Sequence, residues 1–169
     1  LSMSAKGTLR GMHFQKNYQQ GKLVCVVCGE VFDAVVDIRE GSRTYGQWFG
    51  TVLSAEKKNM LYVPEGFAHG FLVLSDTAVF SYKLSEHYHP EDESGIPWND
   101  ETVGIRWPIP EDMTVLTSER DSCHPAFGEG SALKPKRNRK TMGAAAHENV
   151  MDETGSGRME HQKFFQNNE

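Results

Sequence analysis

The chain has 169 residues, enough for one domain of the usual ~100–150 residues with a remainder. Hydrophobic residues make up 38% and charged residues 24%, and 18 Lys+Arg against 23 Asp+Glu leave a net charge of −5. That balance gives no reason to expect a polyanion, which sets aside nucleic acid and anionic membrane as partners. No apolar run approaches the ~20 residues of a membrane span, and no basic leader with an apolar stretch opens the sequence. Three cysteines, Cys25, Cys28 and Cys123, are too few and too odd for a disulfide scaffold, so a soluble, cytoplasmic protein is expected.

The first element in chain order is Gly7-Thr-Leu-Arg-Gly-Met-His-Phe14, which reads as a strand met in mid-domain. Short β-branched and aromatic runs follow at 22–28, 31–39, 47–54, 60–64, 67–74 and 78–84, parted by turn-forming clusters. In the 31–39 run, Phe32, Ala34, Val36 and Ile38 form one apolar face, with Asp33, Asp37 and Arg39 on the other. A lone solvent-facing sheet would explain that alternation, as would a barrel with a polar interior. So many short strands favour an all-β barrel or jelly-roll sandwich. Cys25 and Cys28 are three apart on a strand, which assigns them to opposite faces as buried free thiols.

Composition changes near Phe127, which marks residues 1–127 as the domain. Residues 128–169 carry seven Lys/Arg, six Asp/Glu and few large apolar groups, too little apolar area to offset ordering entropy of ~1–2 kcal/mol per residue. A disordered tail is expected, with at most transient helix at 143–151. The basic cluster Lys134-Pro-Lys-Arg-Asn-Arg-Lys140 reads as a solvated stretch rather than a nucleic-acid patch.

Few polar residues are suited to chemistry. His69 sits in Pro64-Glu-Gly-Phe-Ala-His-Gly70, a turn that delivers a histidine onto the next strand; the spacing is half of the cupin barrel signature. The His-x-His of metal-binding cupins is missing from the strands before His69, and His87 and His89 fall in an acidic loop, so no metal is expected. With His13, Lys22, Tyr82, Tyr88, Asp33, Asp37 and Asp121, the remaining combination suggests proton chemistry. Singly, each residue has a structural explanation; the combination carries the reading.

Leu9-Arg-Gly-Met-His-Phe-Gln15, Gln20-Gly-Lys-Leu-Val24, Gly29-Glu-Val-Phe-Asp33, Asp37-Ile-Arg39, Val63-Pro-Glu-Gly-Phe-Ala-His-Gly-Phe71, Tyr82-Lys83, Tyr88-His-Pro90, Trp98-Asn-Asp100 and Gly104-Ile-Arg-Trp-Pro108 together resemble the dTDP-4-dehydrorhamnose 3,5-epimerases. The match runs in order from about Ser4 to Asp121. The resemblance implies a cofactor-free, cupin-like jelly roll that forms a homodimer. It implies a dTDP-4-keto-6-deoxy sugar as substrate, inverted at C3 and C5 on the way to dTDP-L-rhamnose. It further implies His13 as base, Asp121 as its orienting carboxylate and Tyr82 as acid, with Arg10, Lys22, His69, Tyr88 and Asp33 binding substrate.

The chemistry suits these residues. Both carbons flank a ketone, so loss of either proton sends negative charge to O4, where a cation such as Lys22 is needed. Inversion requires a proton from the opposite face, so a second group must supply it. Arg10 and His13 differ in strand parity, and a bulge at Gly11 is expected to bring both inward. The resemblance also implies further strands ahead of Leu1, without which exposed sheet edges and weaker nucleotide binding are expected. Two alternatives remain: an inactive barrel that binds a sugar nucleotide or serves as a dimerisation module, and an epimerase acting at only one of the two carbons.

Overall fold

Alternating apolar side chains and frequent turns shape the chain into strands alone: a computed structural model, described for residues 1–130, 132 and 133, contains no helix among those residues. The strands are β1 (Ser2–Ala5), β2 (Leu9–Gln15), β3 (Lys22–Cys28), β4 (Glu30–Asp37), β5 (Trp48–Ser54), β6 (Met60–Val63), β7 (Phe67–Val73), β8 (Thr77–Leu84) and β9 (Glu93–Gly95). They form a four-stranded sheet ordered β1-β8-β3-β6 and a five-stranded sheet ordered β5-β4-β7-β2-β9. Every pairing between these strands is antiparallel. The six runs expected between residues 22 and 84 are all present, each within two residues at either end. Absent from that expectation are β1 and β9, short strands whose residues are mostly polar.

Two apolar layers hold the sheets. Val24, Val26, Val31, Val35, Phe71, Val73 and Phe80 belong to a cluster between them, with Phe71 stacked on Phe80 at 4.3 Å between centroids. A second cluster, including Met12, Phe14, Ala34, Val36, Ile38 and Ile96, lies on the other face of the five-stranded sheet. Each Val, Ile, Phe or Met among them contributes about 1.5–3 kcal/mol when fully buried. Both faces of β4 are therefore buried: its predicted apolar face packs outward under a covering segment, while Val31, Asp33 and Val35 face the other sheet.

That cover is the stretch after β9, and the Trp98-Asn-Asp100 and Trp-Pro108 motifs pin it. Trp107 packs edge-on against Phe32 and donates its indole N–H to Trp98 O at 2.7 Å. Asp100 accepts the N–H groups of Thr102 and Val103 on one oxygen and that of Phe127 on the other. Leu133 is buried in the same layer, its N–H donating to Ile38 O at 2.7 Å. Docking therefore continues past the expected boundary at Phe127, and the tail expected to be disordered from 128 is packed at Leu133; the rest of that tail, with the transient helix at 143–151 and the basic cluster at 134–140, lies outside the described residues.

The cysteine expectation is corrected. In β3 the register slips between Val26 and Cys28, so Cys25 faces Ser81 and Cys28 faces Val79, two residues apart on β8. The extra residue returns Cys28 to the side of Cys25. Cys28 is exposed rather than buried, Cys25 is partly buried, and all three cysteines are free thiols.

Candidate active site

The site begins with an irregularity in β2. Arg10 pairs with Phe71 and His13 with His69, so three steps along β2 match two along β7. Gly11 carries the slip at φ +120°, and a Cβ there would lie 2.6 Å from Gly70 Cα. Two glycines back to back thus allow the bulge expected from strand parity. Directly opposed residues share a sheet face, so Arg10 and His13 both join the side of Phe71 and His69, which faces the second sheet.

His13 Nε2 meets Asp121 Oδ1 at 2.5 Å across 108 positions of sequence. Asp121 is buried, and its own N–H donates to Ser118 Oγ at 3.1 Å, which fixes the turn that presents it. Burial alone would raise its carboxyl pKa; the hydrogen bond and charge of His13, with the Ser118 contact, outweigh that and hold it below the usual value. With Nε2–H committed to Asp121, the nitrogen left to accept a proton is Nδ1.

His69 arrives on β7 after a turn with Gly66 at φ +85°. Its Nε2 lies 3.0 Å from both carboxylate oxygens of Asp33. Asp33 is fully buried, so the expected ligand contact reaches a bound molecule only through that imidazole.

Lys22 shares a face with Val63 of the inner cluster, and its Nζ donates to His13 O at 3.4 Å. Burial lowers its pKa from 10.5 to about 8, against the opposing pull of Glu93 and Asp33. Tyr82 lies opposite Val24, on the same inner side, with its ring 6.4 Å from Phe80 and 44% exposure. Arg10 is exposed. Tyr88 stands further out, donating to Glu93 Oε2 at 3.0 Å and accepting from an Arg120 N–H at 3.2 Å. Arg120 also pairs with Glu93 at 2.5 Å. An open groove of about 330 Å³, lined by Leu84 to Tyr88, runs alongside.

The sequence reading missed Glu93, Arg120 and His124. Glu93 sits on a three-residue strand with no pattern to flag it. His124 follows Asp121 by three residues, a spacing that brings side chains together in a turn, and its Nε2 is 3.7 Å from Asp121 Oδ1. The assembled groups are a carboxylate-oriented imidazole, a half-buried ammonium, a second imidazole on a carboxylate, and a partly exposed phenol. Together they can remove a proton, stabilise an oxyanion and return a proton.

A family model described as dTDP-4-dehydrorhamnose 3,5-epimerase matches residues 1–129. The dTDP-4-dehydrorhamnose 3,5-epimerase of Methanothermobacter thermautotrophicus is 53% identical over 120 residues, which are 71% of this chain and 65% of that protein. The enzyme of that name from Neisseria gonorrhoeae is 56% identical over 135 residues, 79% of this chain and 40% of that protein. The chain thus spans less than two thirds of the length of these curated relatives. Among solved structures, a dTDP-6-deoxy-D-glucose-3,5-epimerase from Legionella pneumophila in complex with dTDP-4-keto-L-rhamnose superposes with a TM-score of 0.75 at 45% identity. That likeness covers 80% of this chain and 73% of the other. On the matched span and its strands, the chain belongs to the dTDP-4-dehydrorhamnose 3,5-epimerase family.

Proposed function

We propose that the chain epimerises dTDP-4-dehydro-6-deoxy-D-glucose at C3 and C5, giving dTDP-4-dehydro-L-rhamnose. The observation that carries this reading is the His13–Asp121 pair with Lys22 hydrogen-bonded to the carbonyl of the same histidine. A base and a cation are thereby tied to one residue's backbone. The C4 ketone acidifies the C–H bonds on either side. His13 Nδ1 takes the proton, and Asp121 stabilises the imidazolium through Nε2–H. Lys22, with His69, stabilises the charge on O4; one such donor is worth about 2.7–4 kcal/mol. Tyr82 returns a proton to the opposite face from its phenol O–H. Arg10 and Tyr88 contact the substrate.

The test is exchange of solvent deuterium into C3 and C5 of the 4-keto sugar. Exchange at both carbons, lost in His13→Ala, is expected. Exchange at one carbon would reassign the chain as a single-carbon epimerase. The openness of the site, with Arg10 exposed and Tyr82 44% exposed, favours a second reading, a barrel that binds the sugar nucleotide without turning it over, and binding without exchange would establish it. We also propose a cytoplasmic homodimer. Exposed Leu1, Met3, Met60 and Tyr62 on or beside the edge strands β1 and β6 support a second copy there, and sedimentation at twice the chain mass is expected.

A further inference from the structure

His124 has no part in the proposed epimerisation, yet its surroundings are built. Its side chain is 9% exposed, and its Nε2 is buried without a hydrogen-bond partner among the described residues. A buried imidazole nitrogen left unmatched is costly, which a ligand on that nitrogen would relieve. The ring occupies space that exists only because residue 95 is glycine: a Cβ there would lie 2.5 Å from His124 Nε2. Gly95 pairs with His13, so this cradle holds the spare nitrogen beside the dyad. The His13 and His124 rings meet edge to face at 5.6 Å.

We propose that His13, Asp121 and His124 form a binding site for a divalent transition-metal ion of the Zn²⁺ class, and that the ion switches the proton-abstracting imidazole off. Their three ligand atoms lie within 4.8 Å of one another. Two imidazoles and one carboxylate are a donor set suited to Zn²⁺, with solvent in the fourth position. At bond lengths of about 2.0–2.1 Å, tetrahedral ligand atoms stand roughly 3.3 Å apart. The existing separations, 2.5 Å from His13 to Asp121 and 3.7 Å from His124 to Asp121, bracket that value. Sub-ångström shifts of side-chain atoms therefore suffice for these two pairs.

The switching follows from proton balance. In the free dyad Nε2 of His13 holds the proton and Nδ1 the lone pair. An ion on Nε2 takes that nitrogen's lone pair, so the neutral ring carries its proton on Nδ1 and has no basic site left. This consequence rests on the proposed function; the binding does not.

The test is calorimetric titration of the chelator-stripped full chain with Zn²⁺ alone. One equivalent is expected to bind, and His124→Ala to weaken binding by at least about tenfold, the lower bound for losing even an outer-shell partner. His89→Ala, at the surface His89–Glu91 pair, should leave binding unchanged. On the unaltered chain, Cd²⁺ should move the imidazole ¹⁵N resonances of His13 and His124 together and leave those of His69 in place. No saturable binding, equal binding by His124→Ala, or shifts confined to His87 and His89 would overturn the site. Zn²⁺ binding by a chain that shows no exchange without metal would sink the epimerase reading and leave the site standing.

Discussion

Asp121 is held down in pKa by the histidine above it, and that coupling sets what a single-atom change should do. In Asp121→Asn the amide donates to Nε2, forcing the proton onto Nδ1 and removing the base. Deuterium exchange is expected to fall by about 10²–10⁴ while the fold persists. Lys22 gives a second test with opposite signs in two measurements. Its native pKa of about 8 lies below its ordinary 10.5, because burial disfavours the ammonium. Between those values the unfolded chain keeps a proton that the native chain has released, so stability rises with pH across that window, by up to about 3 kcal/mol. Activity should fall across the same interval as the oxyanion loses its cation. Thermal midpoints measured from pH 7.5 upward should show the rise in the natural chain, and Lys22→Met should flatten it. Residue types alone nominated His13, Lys22, His69, Tyr82 and Asp121. They could not nominate Glu93, Arg120 or His124, whose relevance arises only when distant segments meet.

At the scale of the element, one parity rule gave one right and one wrong expectation. On β2 the mismatch of Arg10 and His13 came with a glycine between them, and the slip is there. On β3 the same rule set Cys25 and Cys28 on opposite faces, and a slip at Val26–Cys28 undid it with no glycine to announce it. Strand extents were legible because turn residues bracket them. A bulge among β-branched residues is decided by pairing with β8, which local sequence does not encode. The glycine contact on β2 and β7 is open to direct test. A Cβ on Gly70 would stand 2.6 Å from Arg10 O and 2.7 Å from Met12 Sδ. Gly70→Ala is expected to cost about 1–3 kcal/mol in urea unfolding and to pull His13 off Asp121, so exchange should fall further than stability explains.

For the molecule as a whole, the five-stranded sheet is a middle layer between its partner sheet and the covering stretch that includes Leu133. Averaged composition hid that contact, because one leucine in a polar run carries little weight in a mean and a great deal in a packed layer. Leu133→Ala should lower unfolding free energy by about 2 kcal/mol, the lower end for a buried leucine; a smaller change would mean that the backbone bonds to Ile38 and Glu40 suffice. The stretch anchored by Asp100 and Trp107 also delivers Asp121 to His13. One ribbon thus seals the barrel's back and steadies His13, the proton acceptor of the proposed reaction, at its mouth. Gentle warming or a protease nick that peels this ribbon should silence turnover while the strands beneath are still paired, so inactivation precedes melting.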